Sequence, residues 1–248
     1  MPFNEDQFVF LRTMGHELRT PLNSIVATSE MMVNAVYGEL QPGQMKASQR
    51  VLRNSNRLLN LINQVMLYIR AQAGALELVS IPVDLAALLK DQISKHQERA
   101  SAKNLTLELT IGPGSSPEQR GDPDHIAFIV NELLDNAIAF TTAGRVQIEA
   151  APDGEDRWTL RVSDTGMGIA PENTGQVLVP FWRGTEAKQI VPEGNGLGLS
   201  IVNEFVRMMG GNLTIESTAG MGTTVTINLP RVIPAHNEAM LPQNAAVK

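Results

Sequence analysis

Two long stretches at the front of the chain repeat apolar residues every three and four positions. Read in heptads from Phe8, core positions fall at Phe8, Leu11, Gly15, Leu18, Leu22, Ile25, Ser29, Met32 and Val36. Most are apolar, which makes an a/d seam and predicts a helix over about 5–36. Residues 37–43 hold two glycines and a proline and read as a helix–helix connection. A second helix then carries Met45, Ser48, Leu52, Ser55, Leu59, Ile62, Met66 and Ile69, with Val51, Leu58 and Val65 repeating beside them. That stripe is wider than a two-stranded seam and suits a four-helix bundle. One hairpin supplies only half of such a bundle. A second copy of the chain is the simplest cover for the rest, so the pattern predicts a homodimer.

After Gly74, the expected stop of the second helix, the period changes. Residues 77–83 look extended, and Asp84 is placed to cap a helix over about 85–101. Leu105, Leu107, Leu109 and Ile111 alternate with polar residues as a strand. Residues 112–117 read as a turn or loop. Asp124 is the expected cap of a helix that turns Ile126, Ile129, Val130, Leu133, Leu134 and Ala137 inward and ends near Phe140. Val146/Ile148/Ala150 and Trp158/Leu160/Val162 alternate as two strands. A helix over 197–209 is closed by Gly210 and Gly211, and Leu213/Ile215 and Val225/Ile227/Leu229 alternate again. The expected fold is therefore an α hairpin forming a dimeric four-helix bundle, followed by an α+β sandwich with an antiparallel-looking sheet. The expected limits are a hairpin over 1–73, a linker over 74–80, the α+β domain over 81–231 and a flexible tail over 232–248.

Composition narrows the chemistry. Apolar residues make up 43% of the 248, enough for an ordinary core. A net charge of −6 argues against nucleic acid as partner. Without cysteine there is no disulfide framework, thiolate zinc site or cysteine nucleophile. The four histidines, at 16, 96, 125 and 236, lack metal-site spacing. His96 and His125 are assigned to surface or core duty. No apolar run reaches the ~20 residues of a membrane span, and the acidic start lacks signal-peptide order. The expected location is the cytoplasm. No sensor domain precedes the first helix, so the chain is expected to be an excised core or to take its signal from a partner protein.

Four segments carry candidate chemistry. In the first helix, His16 follows core position Gly15, so His16, Glu17 and Thr20 take outward positions where packing does not need them. Pro21 removes a helical hydrogen bond and is expected to kink the helix just past His16. Further on, Glu132 and Asn136 lie four apart on one helix face, where a carboxylate and an amide oxygen suit a hydrated Mg²⁺. Asn131 and Asp135 form a rival pair. Asp164-Thr165-Gly166-Met167-Gly168 follows a strand; its acid can accept from an exocyclic amine such as adenine's, and its glycines admit a flat ligand. Gly194-Asn195-Gly196-Leu197-Gly198-Leu199 opens a helix, where backbone N–H groups favour phosphate. Residues 172–193, without strong period, are a candidate lid.

In order and spacing these segments resemble the catalytic core of sensor histidine kinases across nearly all of residues 5–230. The H box matches at His16-Glu17-Leu18-Arg19-Thr20-Pro21-Leu22 and the N box at 132–137. The first glycine box matches at 164–168, the F box loosely at Pro180-Phe181-Trp182-Arg183, and the second glycine box at 194–199. The resemblance implies a Bergerat-type ATP domain using ATP and Mg²⁺. Asn136 would hold the metal while Glu132 orders its waters. Asp164 would read the adenine amino group, with Thr223 through water, and Gly166, Gly168, Gly194, Gly196 and Gly198 would shape the adenine and phosphate sides. It further implies that His16 attacks the γ-phosphate through its distal ring nitrogen while Glu17 accepts the proton on the other. The phosphate would pass to an aspartate of a response regulator receiver domain, and Thr20 would place a water for the reverse, phosphatase reaction. One departure is Ala139, where the N box commonly has lysine or arginine; two outcomes stay open, compensation by Arg183 or Lys188 in the lid, or weaker ATP binding. Two rival classes stay open: a dimeric scaffold that binds nucleotide without turnover, and an ATPase of chaperone or mismatch-repair type.

Overall fold

The structure is a computed structural model. It describes the backbone of residues 5–112 and 119–233, with side chains from residue 13 onward. Most of the loop expected at 112–117, the side chains of Phe8 and Leu11, and nearly all of the expected tail lie outside the described residues.

Helices α1 (Glu5–Val33) and α2 (Pro42–Gln72) form the hairpin. Its seams fare unequally. Gly15, Leu22 and Ser29, the a positions of α1, are buried. Leu18 and Ile25, two of the d positions, stay exposed while Met32, a third, is half-buried, and Val51 and Leu58 of α2 stay exposed. One hairpin covers one seam. At Gly15 the two helices pack tightly: a Cβ there would lie 2.6 Å from Met66 Sδ.

The backbone of α1 runs on through Pro21. It stops short of the expected residue 36 because Ala35 turns left-handed at φ 56°. Ala35 N–H then donates to Met32 O at 3.2 Å and Val36 N–H to Met31 O at 3.0 Å, which satisfies carbonyls of the last turn. Glycine usually takes that position. At the end of α2 the expected glycine does the same job. Gly74, at φ 64°, donates to Ala71 O, and Ala75 N–H to Arg70 O.

The stretch expected as a linker is packed. Leu76 and Leu78 are buried in the α/β core, and Val79 N–H donates to Asp122 Oδ2 at 3.1 Å. Of the extended residues only β1 (Ile81–Pro82) pairs, antiparallel to β3 (Arg120–Gly121). Helix α3 (Leu85–Ala102) is capped by Asp84, which accepts from Ala87 N–H at 2.9 Å, and leads into β2 (Leu105–Ile111). Helix α4 (Pro123–Phe140) corrects an expectation. Its cap is Asp122, not Asp124: Asp122 Oδ1 accepts from the N–H groups of Asp124 and His125, each at 3.1 Å. Pro123, with no N–H to satisfy, suits the first helical position and pushes the cap back to Asp122.

The chain continues through β4 (Gly144–Asp153), β5 (Arg157–Asp164), the short α5 (Pro171–Thr174) and α6 (Thr185–Ile190), α7 (Gly198–Met208), β6 (Asn212–Thr218) and β7 (Gly222–Pro230). Among the described residues the main sheet has five strands in the order β2-β4-β5-β7-β6. It is mixed rather than antiparallel throughout, because β2 runs parallel to β4. The registers Ile148–Val162 and Leu160–Ile227 stack the inward residues. Against that face pack Leu89 of α3, Ile129, Val130, Leu133 and Leu134 of α4, and Ile201 and Phe205 of α7, all buried. Each such side chain contributes roughly 2 kcal/mol by leaving water.

Of the tail expected from residue 232, the structure describes Val232 and Ile233. Ile233 N–H donates to Arg120 O at 2.9 Å, and its side chain is buried. A stretch this short is too brief to show a period. No helix among the described residues is long and apolar enough to cross a membrane.

Candidate active site

The C-terminal half of α2 lies on the α/β domain, with Leu61, Val65 and Tyr68 against its core. Gln72 Nε2 donates to Glu204 Oε1 of α7 at 2.8 Å, and Arg207 clasps the other carboxylate oxygen. Above this contact opens a cavity of about 1300 Å³. Its walls hold Glu132, Asn136, Asp164, Gly168, Gly194, Gly196, Gly198 and Thr223. Of the N-box and glycine-box residues expected at a nucleotide, only Gly166 is absent from the wall, and it supports Asp164 instead.

Asp164 ends β5. Its Oδ1 accepts from Gly166 N–H at 2.8 Å and from Thr223 N–H at 3.3 Å. Oδ2 takes no hydrogen bond from any described residue. Burial raises the carboxyl's pKa, against the two N–H donors. Thr223 Oγ1 shares a hydrogen bond with Ser217 Oγ at 2.8 Å, so the hydroxyl is held close to the acid.

Helix α4 brings Glu132 and Asn136 to the opposite wall, one turn apart. Neither side chain bonds a described residue. Burial, and secondarily the charge of Asp135, pushes the Glu132 carboxyl up to about 7. A Cβ at Gly198 would strike the Glu132 carboxylate, so glycine at the start of α7 lets the acid lie against the helix N-terminus. An unspent amide oxygen beside an uncompensated buried carboxylate fits Mg²⁺, which favours oxygen ligands and retains waters. No group of three or more acidic or imidazole side chains that could hold a metal occurs among the described residues, so phosphate oxygens and water would complete the shell.

The lid explains the F box. Phe181 N–H donates to Gly196 O at 2.9 Å, and a Cβ at Gly196 would lie 2.6 Å from Trp182 O. With its φ of 74°, this position admits only glycine comfortably. Arg183 ties the segment together. Nη1 donates to Gly194 O at 2.6 Å and Nη2 to Ala187 O at 2.9 Å, with further bonds to Val191 O and Pro192 O. Arg183 is thus a brace within the lid and not the free phosphate-facing cation expected. Lys188 does not line the cavity. The lid also touches the hairpin: Asn195 Nδ2 donates to Gln64 Oε1, and Arg57 Nη2 to Pro192 O at 3.3 Å.

His16 and Glu17 are exposed on α1, and neither side chain bonds a described residue. They do not bond each other, because successive helical residues diverge around the axis. Thr20 Oγ1 donates to His16 O at 3.3 Å. None of the three lines the cavity, whose hairpin wall comes from α2. The structure therefore joins the nucleotide-type residues in one place and keeps the acceptor-type residues on a separate surface. Sequence reasoning missed Arg57 and Gln64, whose role depends on how the hairpin docks. It also missed Arg99, a wall residue with no motif around it. His96 is buried, bonded through Nδ1 to Gln92 O at 2.7 Å, and His125 stacks edge-on to Phe205, consistent with structural duty.

A sandwich of this topology, with its cavity between an acid-bearing helix and a glycine-rich lid, defines a nucleotide-type ATPase domain joined to a hairpin carrying an exposed histidine. Comparison with known proteins gives the same two parts. Residues 121–233 match the family of histidine kinase-, DNA gyrase B- and HSP90-like ATPases, and residues 7–74 match the His Kinase A (phospho-acceptor) domain. The chain belongs to the histidine kinase family. It is 32% identical over 228 residues to the sensor histidine kinase GacS of Pseudomonas protegens, covering 90% of this chain and 24% of GacS. It is 34% identical over 224 residues to the histidine protein kinase DivJ of Caulobacter vibrioides, covering 89% of this chain and 37% of DivJ. The chain thus spans between a quarter and two-fifths of these relatives. A crystal structure of full-length ShkA in complex with AMPPNP superposes with a TM-score of 0.79 at 29% identity, over 91% of this chain and 46% of ShkA.

Proposed function

We propose that the chain is an ATP-dependent protein-histidine kinase core that phosphorylates His16 and passes the phosphate to an aspartate of a response regulator receiver domain. The observation that carries this reading is the pairing of one unburdened, exposed imidazole with one cavity holding Asp164, Asn136 and Glu132 in the same chain. In the proposed arrangement Asp164 Oδ2 accepts from the adenine amine, with Thr223 beside it. Asn136 and Glu132 would hold Mg²⁺, the amide directly and the carboxylate through water, and the ion would supply charge neutralisation at the phosphates. Gly194, Gly196 and Gly198 bring backbone close to the phosphates. Nε2 of His16 forms the new bond to phosphorus as the bond to the leaving oxygen of ADP breaks. Glu17, whose side chain is unbonded and exposed, turns toward the ring to accept a hydrogen bond from Nδ1–H, which keeps the lone pair on Nε2. Because α1 is absent from the cavity wall, the hairpin and the α/β domain must shift relative to each other, or the acceptor must belong to a second chain.

A second chain is part of the proposal. Leu18, Ile25, Val51 and Leu58 are each 46–48% exposed, two columns that a second hairpin would cover. The exposed Thr20 hydroxyl, one turn from His16, supports water placement for the reverse reaction. The decisive experiment uses γ-labelled ATP. Wild type is expected to acquire acid-labile, alkali-stable label, and His16→Gln none, with nucleotide affinity unchanged. Label that persists in His16→Gln, or tight nucleotide binding with no phosphohistidine, overturns the reading.

A further inference from the structure

The N-box helix lacks a cation at Ala139, which lines the cavity. Polyphosphate binding without a basic side chain at that wall would leave charge uncompensated, so the other bases near it matter. Lys103 is spent, with Nζ donating to Ile138 O at 2.7 Å and Ala139 O at 2.9 Å at the end of α4. Arg183 is spent on the lid carbonyls. Arg53 and Arg57 line the cavity but stand on the hairpin, and Arg57 already holds Pro192 O.

Arg99 differs from all of these. It reaches the cavity wall from α3, inside the α/β domain itself. Its Nη1 pairs with Asp135, the residue immediately before Asn136. Asp135 is itself fixed, accepting from Asn131 Nδ2 at 3.3 Å and lying 3.3 Å from Nε2 of the buried His96. The guanidinium is therefore docked on the N-box helix through one nitrogen. Its Nε and Nη2 bond no described residue, and its side chain is 57% exposed. A planar fork with donors to spare matches phosphate oxygens better than a point charge does.

We propose that Arg99 is a phosphate-binding residue of the nucleotide site, reaching from α3 to supply the cation that Ala139 does not. The proposal rests on the reading that the cavity takes ATP. Asp135, His96 and Asn131 then form the mount that aims the guanidinium, and the rival polar face of α4 acquires a function.

The test compares adenosine with a non-hydrolysable ATP analogue, titrated calorimetrically with Mg²⁺ into the whole chain. Arg99→Ala is expected to weaken the triphosphate by roughly tenfold, the scale of one charge-assisted contact, and to leave adenosine unchanged. Adding Ala139→Lys to Arg99→Ala is expected to restore triphosphate affinity from the other side of the same wall. Equal weakening of adenosine and triphosphate would mean that Arg99 only holds the helices together, and no weakening would mean that it faces solvent; either overturns the proposal. A wild-type chain that binds neither probe overturns the nucleotide reading as well, so the two failures are told apart.

Discussion

The two halves of the molecule satisfy their apolar residues in opposite ways. The α/β domain closes on itself: sheet residues such as Ile148, Leu160 and Ile227 meet α4 and α7 with almost no exposure. The hairpin does not. Its a positions are covered by the neighbouring helix while Leu18, Ile25, Val51 and Leu58 stay wet. The contrast shows that one half can be a complete folding unit while the other is written for company. It also separates the chemistry. The polar groups held in fixed geometry belong to the closed half, and the free imidazole belongs to the open one.

The largest effect is expected where the contrast is broken outright. Leu18→Asp together with Leu58→Asp should raise the dimer dissociation constant at least ~1000-fold, since buried unpaired carboxylates are very costly. The melting of the α/β domain and its nucleotide affinity should stay put. Sedimentation and calorimetry check both, and a dimer that survives would remove the proposed interface.

A smaller effect sharpens the view of the closed half. Glu132 is raised to about 7 against an ordinary 4.5, so ionising it costs folding energy that is absent below the ordinary value and grows as pH rises through 7. Glu132→Gln should therefore raise thermal stability at pH 8, by about 2 kcal/mol, and change it little at pH 4.5. Wild-type Mg²⁺–nucleotide affinity should fall by about tenfold from pH 8 to pH 6 as the carboxylate gains its proton. A flat pH profile in both measurements would show that Glu132 is not the poised group.

The smallest effect tests the covered seam of the open half. Gly15→Ala places a methyl against Met66 and should cost about 1 kcal/mol of hairpin stability, because a thioether can move aside. Helical ellipticity followed through urea unfolding measures it.

Long periodic elements were legible in the sequence. The stripes of α1 and α2, the inward faces of α4 and α7, and the alternation of β4, β5 and β7 each follow from a single repeat. Features set by pairing were not. Alternation says that β2 is a strand but not that its neighbour β4 is parallel. The cap of α4 moved from Asp124 to Asp122 because the proline between them is the stronger signal. Ala35 ended α1 in a conformation that composition alone would assign to glycine. At the site, residues of the glycine boxes and the N box were legible because backbone approach and one-turn spacing leave marks in sequence. Arg99 and Arg183 were not, since a guanidinium's duty depends on which carbonyl, carboxylate or space its end meets.

Helix α7 begins at Gly198, against the Glu132 carboxylate, and just past its middle carries Glu204, bonded to Gln72 at the end of α2. At 1.5 Å per residue those two points are about 9 Å apart on one stiff rod. A tilt of α2 at Gln72 would be carried along that rod toward the Glu132 wall of the cavity, with no loop between to absorb it. The rod thus links a hairpin residue to a wall of the cavity.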